Sequence, residues 1–369
     1  MLQSRLVVDS GSGRGAAVCG GVVPSRGVSQ RVLSWRVGFV WVVRVVVAEI
    51  TVLVIESATE ALGLGSHFVV QPEILLTLSA GSVAPLIAEK DPRCPSVFAV
   101  PQFVATDLQL RGLNLPASML SGFGVPEIDR FRDEADRAHC PVLLLTEEPP
   151  IDFTDRGALF AKSRDRLSRL ALAANRLGCP SIAVRAAAVD TDAAFEATVL
   201  GVKTILKDID RYELNLLLAP HEGLTFDPTR LTDLIKKIGG FRIGSYPSFA
   251  HAHATGDVEK TLRKLAPYAP AICASVRGFA KDGTHDGFSL EVCVESVRSV
   301  GYGNTLALDF VGTGDDADGK SADAKKGKKS AKKSSVDIVA ELDMARRVLE
   351  AATMEPELDE DVELVEEEE

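Results

Sequence analysis

The segment Asn215–Gly223, NLLLAPHEG, runs from an unbroken apolar stretch straight into Pro220, His221, Glu222 and Gly223. A short apolar run bounded by turn residues is the pattern of a strand buried on both faces. Asp227 and Pro228 then open the amphipathic stretch Pro228–Ile238, which Gly239 follows. Asp227 offers a side-chain oxygen to free backbone N–H groups, and Pro228 suits the first helical position because it has no N–H to satisfy. The segment therefore reads as one βα unit with polar groups where the strand ends.

The same unit repeats outward in both directions. Strands are expected at Ser96–Phe103, Gly112–Leu120, Pro141–Glu147, Ser181–Ala186, Asn215–His221, Phe241–Ser248, Ala271–Gly278 and Thr305–Val311. Helices are expected at Pro126–His139, Arg156–Leu177, Asp192–Asp210, Pro228–Ile238, Val258–Leu265, Ser289–Val300 and Val336–Ala352. From the second strand onward the midpoints recur about every 30 residues, the length of a strand plus a right-handed crossover helix. Eight such units predict an α/β fold, a (β/α)8 TIM barrel over residues 95–352. No G-x-G-x-x-G or G-x-x-x-x-G-K-[ST] follows an early strand, which argues against an open nucleotide-binding sheet.

Three segments stand outside this pattern. Residues 1–94 read as an extension, partly disordered; no lysine occurs before Lys90, and both tryptophans, Trp35 and Trp41, fall there. Its apolar stretch Val32–Ile55 is interrupted by Arg36 and Arg44, so no membrane helix is expected, and an N-terminus nearer Met119 is one reading of its composition. Residues 313–335 form a Lys-rich, disordered insertion, with seven lysines between Lys320 and Lys333. Residues 353–369 form an acidic tail, and removing its ten acidic charges from the net −11 leaves −1. A nearly neutral body, with no aromatic residue among those lysines, argues against a nucleic-acid partner. The six cysteines include no C-x-x-C pair, which fits a reducing cytoplasm.

In such a barrel, chemistry belongs at the C-terminal ends of the strands. His221 and Glu222 are the candidate catalytic pair, a carboxylate and an imidazole able to exchange a proton on carbon or hold a divalent ion. Arg185 and Arg277 are candidates for gripping a phosphate or carboxylate, with Glu147 as a further substrate-binding group. His251 and Asp309, with Glu222, are the candidate metal ligands. His67, His139 and His285 are assigned no role.

Taken together, ANRLGC at 174–179, LLLAPHEG at 216–223, RIGSYPSFAHA at 242–252 and LALDFVGTGD at 306–315 resemble the sugar phosphate isomerase/epimerase family of xylose isomerase-like barrels. The resemblance covers about residues 95–352 and implies metal-assisted proton transfer between sugar carbons. It places the family's strand-five glutamate on Ala219, its strand-six aspartate on Ser248 with the accompanying histidine on His251, its strand-seven histidine near Ser275 and its strand-eight glutamate on Asp309. Ala219, Ser248 and Ser275 thus stand where ligands are expected, and they cannot supply the charge that holds Mn2+ or Mg2+.

The expected function is that of an isomerase or epimerase acting on a carbohydrate-like small molecule, with Mn2+, Mg2+ or Zn2+ as the candidate cofactor and a homo-oligomer as one assembly. The alternative is a barrel that has lost metal chemistry and serves as a ligand-binding or scaffold protein. A third reading, an endonuclease-like relative acting on abasic DNA, requires a richer ligand set and a basic face.

Overall fold

The computed structural model describes residues 73–280, 283–311 and 335–354. Eight parallel strands form one sheet: β1 (Leu75–Ser79), β2 (Leu113–Pro116), β3 (Val142–Thr146), β4 (Ser181–Arg185), β5 (Asn215–Ala219), β6 (Ile243–Ser245), β7 (Ala271–Val276) and β8 (Thr305–Phe310). Hydrogen-bonded neighbours run β6-β5-β4-β3-β2-β1-β8-β7. The two ends of that order meet at one parallel bridge, Ser248 with Cys273, where the Cys273 N–H donates to the Pro247 carbonyl at 2.9 Å. The strands thus curl around a common interior, with β2 facing β6 and β4 facing β8.

The helices are α1 (Ala84–Glu89), α2 (Val100–Thr106), α3 (Val125–Arg137), α4 (Ala158–Leu177), α5 (Asp192–Ile209), α6 (Pro228–Ile238), α7 (Phe249–Ala254), α8 (Val258–Leu265), α9 (Leu290–Arg298) and α10 (Ser335–Thr353). Capping follows the sequence chemistry. The Asp227 carboxylate accepts from the Arg230 N–H at 2.8 Å, and that of Asp257 from the Lys260 N–H at 3.1 Å.

The first unit differs from expectation. Ser96–Phe103 is not a strand: Val97–Ala99 form a 3-10 turn that leads into α2. Its apolar residues fit a helix because Val100, Phe103 and Val104 share one buried face at helical spacing. The true first strand is Leu75–Ser79, which pairs with β2 and β8. The barrel therefore begins upstream of residue 95, and a chain starting at Met119 would lack both β1 and β2. The rest of the extension, the lysine segment up to residue 334 and the tail from residue 355 lie outside the described residues.

Strand alternation divides the core in two. One set, including Leu78, Leu145, Val184, Leu216, Leu218, Ile272 and Leu308, packs outward under the helices. The other, Leu144, Ala183, Leu217, Tyr246, Ala271 and Cys273 with Ala219 against them, fills the barrel interior. By the same alternation the inward positions at the C-terminal rim are Ser79, Thr146, Arg185, Ala219, Ser248, Ser275 and Asp309.

Candidate functional site

The rim is floored by a tyrosine. Tyr246 lies just past β6 and is buried in the interior cluster, and its hydroxyl oxygen accepts from Asn114 Nδ2 on the facing strand β2 at 3.3 Å. Small residues on neighbouring strands, Ala183, Ala219 and Ala271, leave room for the ring. Cys273 lies beside it, with Sγ 3.5 Å from Asp309 Oδ2 and 3.6 Å from Ser275 Oγ. Burial pushes the Tyr246 hydroxyl and the Cys273 thiol far above their ordinary values, so both stay neutral and hydrogen-bonded.

Asp309 stands at the inward end of β8, opposite Ser275 in register. Burial raises its proton affinity even though Ser79, Cys273 and Ser82 hydrogen-bond to it and Arg185 acts on it through its charge. Arg185 ends β4, across the barrel from β8, and is exposed. Among the described residues no hydrogen bond or ion pair engages its guanidinium.

His221 completes the group. Its proton affinity is lowered by burial first and by Arg185 second, while Glu222 raises it. The loop that carries it is pinned at both ends. The His221 N–H donates to Thr225 Oγ1 at 3.0 Å, and Gly223 bridges to Ala188 with φ +87°. A Cβ on Gly223 would lie 2.2 Å from the Ala188 carbonyl oxygen, so only glycine fits there. Glu222 is exposed beside His221.

The other predicted residues stand apart from this group. His251 is in α7, where its Nε2–H donates to the Phe226 carbonyl at 2.8 Å and its ring meets that of Phe226 edge-on. Its Nδ1 is buried without a partner, and burial lowers its proton affinity. Glu147 is buried and forms an ion pair with Arg166 of α4 at 2.5 Å, so its carboxylate is engaged on the helix side. Arg277 opens the loop after β7; its backbone N–H donates to His285 Nε2 at 3.0 Å, and its side-chain Nε is buried without a hydrogen-bond partner. Sequence reading gave His285 no chemistry; it acts structurally, its Nδ1–H donating to the Phe288 carbonyl at 2.7 Å.

The donor set does not suit a divalent metal. No group of three His, Cys, Asp or Glu side chains able to hold an ion occurs among the described residues, so His251, Asp309 and Glu222 do not form one. The inward rim positions of β5 and β7 are Ala219 and Ser275, and Ser248 spends its hydroxyl capping α7, accepting from the His251 N–H at 3.1 Å.

Sequence reading missed the floor. Asn114 and Cys273 lie in no quoted motif and Tyr246, within RIGSYPSFAHA, is given no role there; the alternation of inward positions in a closed barrel identifies all three.

No family model matches the chain, and no curated protein does. Solved structures do. A xylose isomerase domain containing protein from Salmonella typhimurium LT2 superposes with a TM-score of 0.56 at 14% identity, covering 76% of this chain and 98% of that one. D-psicose 3-epimerase, solved in the presence of D-fructose, gives 0.54 at 13%, covering 70% and 92%. The IOLI protein, solved with a bound zinc atom, gives 0.53 at 8%, covering 76% and 96%. At these identities the likeness is one of fold.

Proposed function

Because the chain has the fold of the xylose isomerase-like barrels, we propose that it acts on a small carbohydrate-like molecule at the C-terminal rim, as an isomerase or epimerase that moves a proton between substrate carbons. The observation that supports this reading is the place of Arg185 at the inward, C-terminal end of β4, paired in register with Ala219, the strand end that leads into His221 and Glu222, while Asp309 takes the inward position at the same end of β8. His221 and Glu222 exchange the proton, Asp309 holds a hydroxyl and Arg185 holds the polar end of the substrate. A proton donor and acceptor placed beside a bound substrate contribute roughly 10²–10⁴-fold each. No step is routed through a metal, because Ala219, Ser248 and Ser275 offer no charge beside Asp309 and Glu222, and no group of three metal-ligating side chains occurs among the described residues.

A second reading is favoured by Ala219, Ser248 and Ser275 at positions where the resemblance expects ligands: a barrel that binds the same class of molecule without turning it over. Free, buried cysteines throughout the described residues support a reducing compartment for either.

Deuterium incorporation from D2O into ketoses and aldoses, followed by NMR with EDTA present and then with Mn2+ added, tests the first reading. Exchange into one substrate carbon is expected, with a loss of about 100-fold or more in His221→Gln and Glu222→Gln. Full exchange in Glu222→Gln removes that residue from the mechanism. Saturable sugar binding with no exchange under either condition supports the second reading.

A further inference from the structure

We propose that His285 is an acid-released latch: its neutral imidazole holds the segment Thr284–Phe288 down on the end of β7, and gaining a proton frees that segment and uncovers the Arg277 side chain. The latch controls access beside the rim and requires no particular substrate or reaction there.

The ring is held at both nitrogens. Past β7 the chain turns back on itself: Phe279 and His285 form an antiparallel bridge, the Ala280 N–H donates to the Thr284 carbonyl at 2.9 Å, and the Asp286 N–H donates to the Gly278 carbonyl at 2.9 Å. His285 closes this turn. Its Nε2 accepts from the Arg277 backbone N–H at 3.0 Å, and its Nδ1–H donates to the Phe288 carbonyl at 2.7 Å. A carbonyl needs a donor and an N–H needs a lone pair, so the two bonds together fit one neutral tautomer. A proton added at Nε2 sets N–H against N–H and breaks the tie to β7.

The surroundings oppose that proton while the segment is down. The His285 ring is buried, and the rings of Phe279 and Phe288 meet it edge-on. Burial is the largest influence and lowers its proton affinity, and the Arg277 charge lowers it further. The Phe288 carbonyl, Asp286 in the same segment and Glu291 of α9 raise it, but both carboxylates are exposed, where solvent screens them. From α7, the exposed His253 packs on Phe288, and from α10 the uncharged Val348 borders the depression beside the segment.

The held segment also leaves one group unsatisfied. Arg277 Nε is buried without a hydrogen-bond partner, and a Cβ on Gly287 would lie 3.6 Å from Arg277 Nη1, so the segment lies against the guanidinium. A buried donor without an acceptor disfavours the covered form. Release gives that donor water, which poises the segment to open when the Nε2 bond is lost.

Hydrogen exchange on the full chain at pH 7.5 and 5.5, with each amide's rate divided by its intrinsic rate at that pH, tests this. Protection of the Arg277, Ala280 and Asp286 amides is expected to fall about three- to tenfold at pH 5.5. The ceiling is the tenfold that one imidazole, restored to its ordinary value near 6.5, supplies one pH unit below that value. Low, sub-denaturing urea is expected to leave these amides unaffected while speeding those of β4 and β5, which separates local release from unfolding of the barrel. The fall is expected to vanish in His285→Gln, which keeps a donor and an acceptor but takes no proton, and to survive in His253→Gln. Equal protection at the two pH values in wild type, the same fall in His285→Gln, its loss in His253→Gln, or a urea dependence matching that of β4 and β5 overturns the proposal. The wild-type comparison and its urea dependence decide the matter even where a variant fails to fold. No ligand enters the measurement, so its failure leaves the proposed function standing.

Discussion

Tyr246 and Asn114 join facing strands through the barrel interior, the hydroxyl oxygen of one accepting from the amide of the other at 3.3 Å. This strut separates the rim, where ligand groups gather, from the packed lower barrel. Asn114 Oδ1 is already buried without a hydrogen-bond partner. Tyr246→Phe leaves the amide donor unpaired as well, and a cost of about 1–3 kcal/mol is expected. Tyr246→Ala adds a cavity, and a loss of about 3–5 kcal/mol is expected. Urea unfolding followed by far-UV circular dichroism measures both. Equal stability of Tyr246→Phe and wild type would show that the strut contributes nothing through its hydroxyl.

Asp309 trades stability for a carboxyl at the rim. Its folded proton affinity is raised above the ordinary carboxylate value. Between that value and the raised one, the folded chain holds a proton that the unfolded chain has released. The group's contribution to stability is therefore greatest below the ordinary value and falls as pH rises through the folded one. Asp309→Asn removes this penalty. Its denaturation midpoint is expected to exceed that of wild type at pH 7, and the difference is expected to shrink toward pH 3. A variant less stable than wild type at pH 7 contradicts the assignment.

Legibility in the sequence followed the length and isolation of each signal. Helices such as Pro228–Ile238 were readable because an aspartate cap, a proline and a glycine stop flank an amphipathic run. The first strand was not, because Leu75–Ser79 sits within a long apolar region whose composition hides it, while Val97–Val104 is equally apolar and helical. Polar residues at strand ends, His221 and Asp309, were found by position in a βα repeat. Glu147 satisfied the same rule and is instead tied to Arg166, since sequence alone does not reveal which face a residue past the last strand position takes. Tyr246 reads as one more residue of the strand expected at Phe241–Ser248 until barrel closure brings β2 opposite it.

Glu147 and Arg166 make a directional pair. The carboxylate is buried, with burial raising its proton affinity against the opposing pull of Arg166, whereas the arginine is half exposed. Removing the exposed partner strands a buried charge. Arg166→Met is expected to cost about 2–3 kcal/mol at pH 7, below the ~3–5 kcal/mol of a fully buried pair because solvent screens part of the interaction. Glu147→Gln is expected to cost less. Chemical denaturation of the two single variants and the double variant gives the coupling directly.

Acid should destabilise the fold through its buried imidazoles. Burial lowers the proton affinity of both His251 and His285, and each has a ring nitrogen committed to a carbonyl. Below the ordinary histidine value near 6.5 the unfolded chain binds protons that the folded chain refuses. Stability is therefore expected to fall as pH drops from 7 through 6, with a slope of up to about 1.4 kcal/mol per pH unit for each histidine. Midpoints measured at pH 7.5, 6.5 and 5.5 check the sign. His285→Gln, which keeps a donor and an acceptor, is expected to flatten the dependence.

Gly223 ties loop geometry to the candidate chemistry. With φ at +87° and the Ala188 carbonyl oxygen 2.2 Å from the place of a Cβ, Gly223→Ala must displace either the loop or the strand-like bridge to Ala188. The strain is expected to cost at least about 1–2 kcal/mol in stability. The displaced segment begins at His221 and Glu222, so the loss at the rim should exceed the loss in stability. Measured under conditions where more than nine-tenths of Gly223→Ala is folded, exchange into substrate is expected to fall about tenfold or more, since small misplacements of reacting groups are costly. Wild-type exchange in a folded Gly223→Ala would place the reacting groups elsewhere on the rim, with Asp309 and Arg185 rather than with the loop after β5.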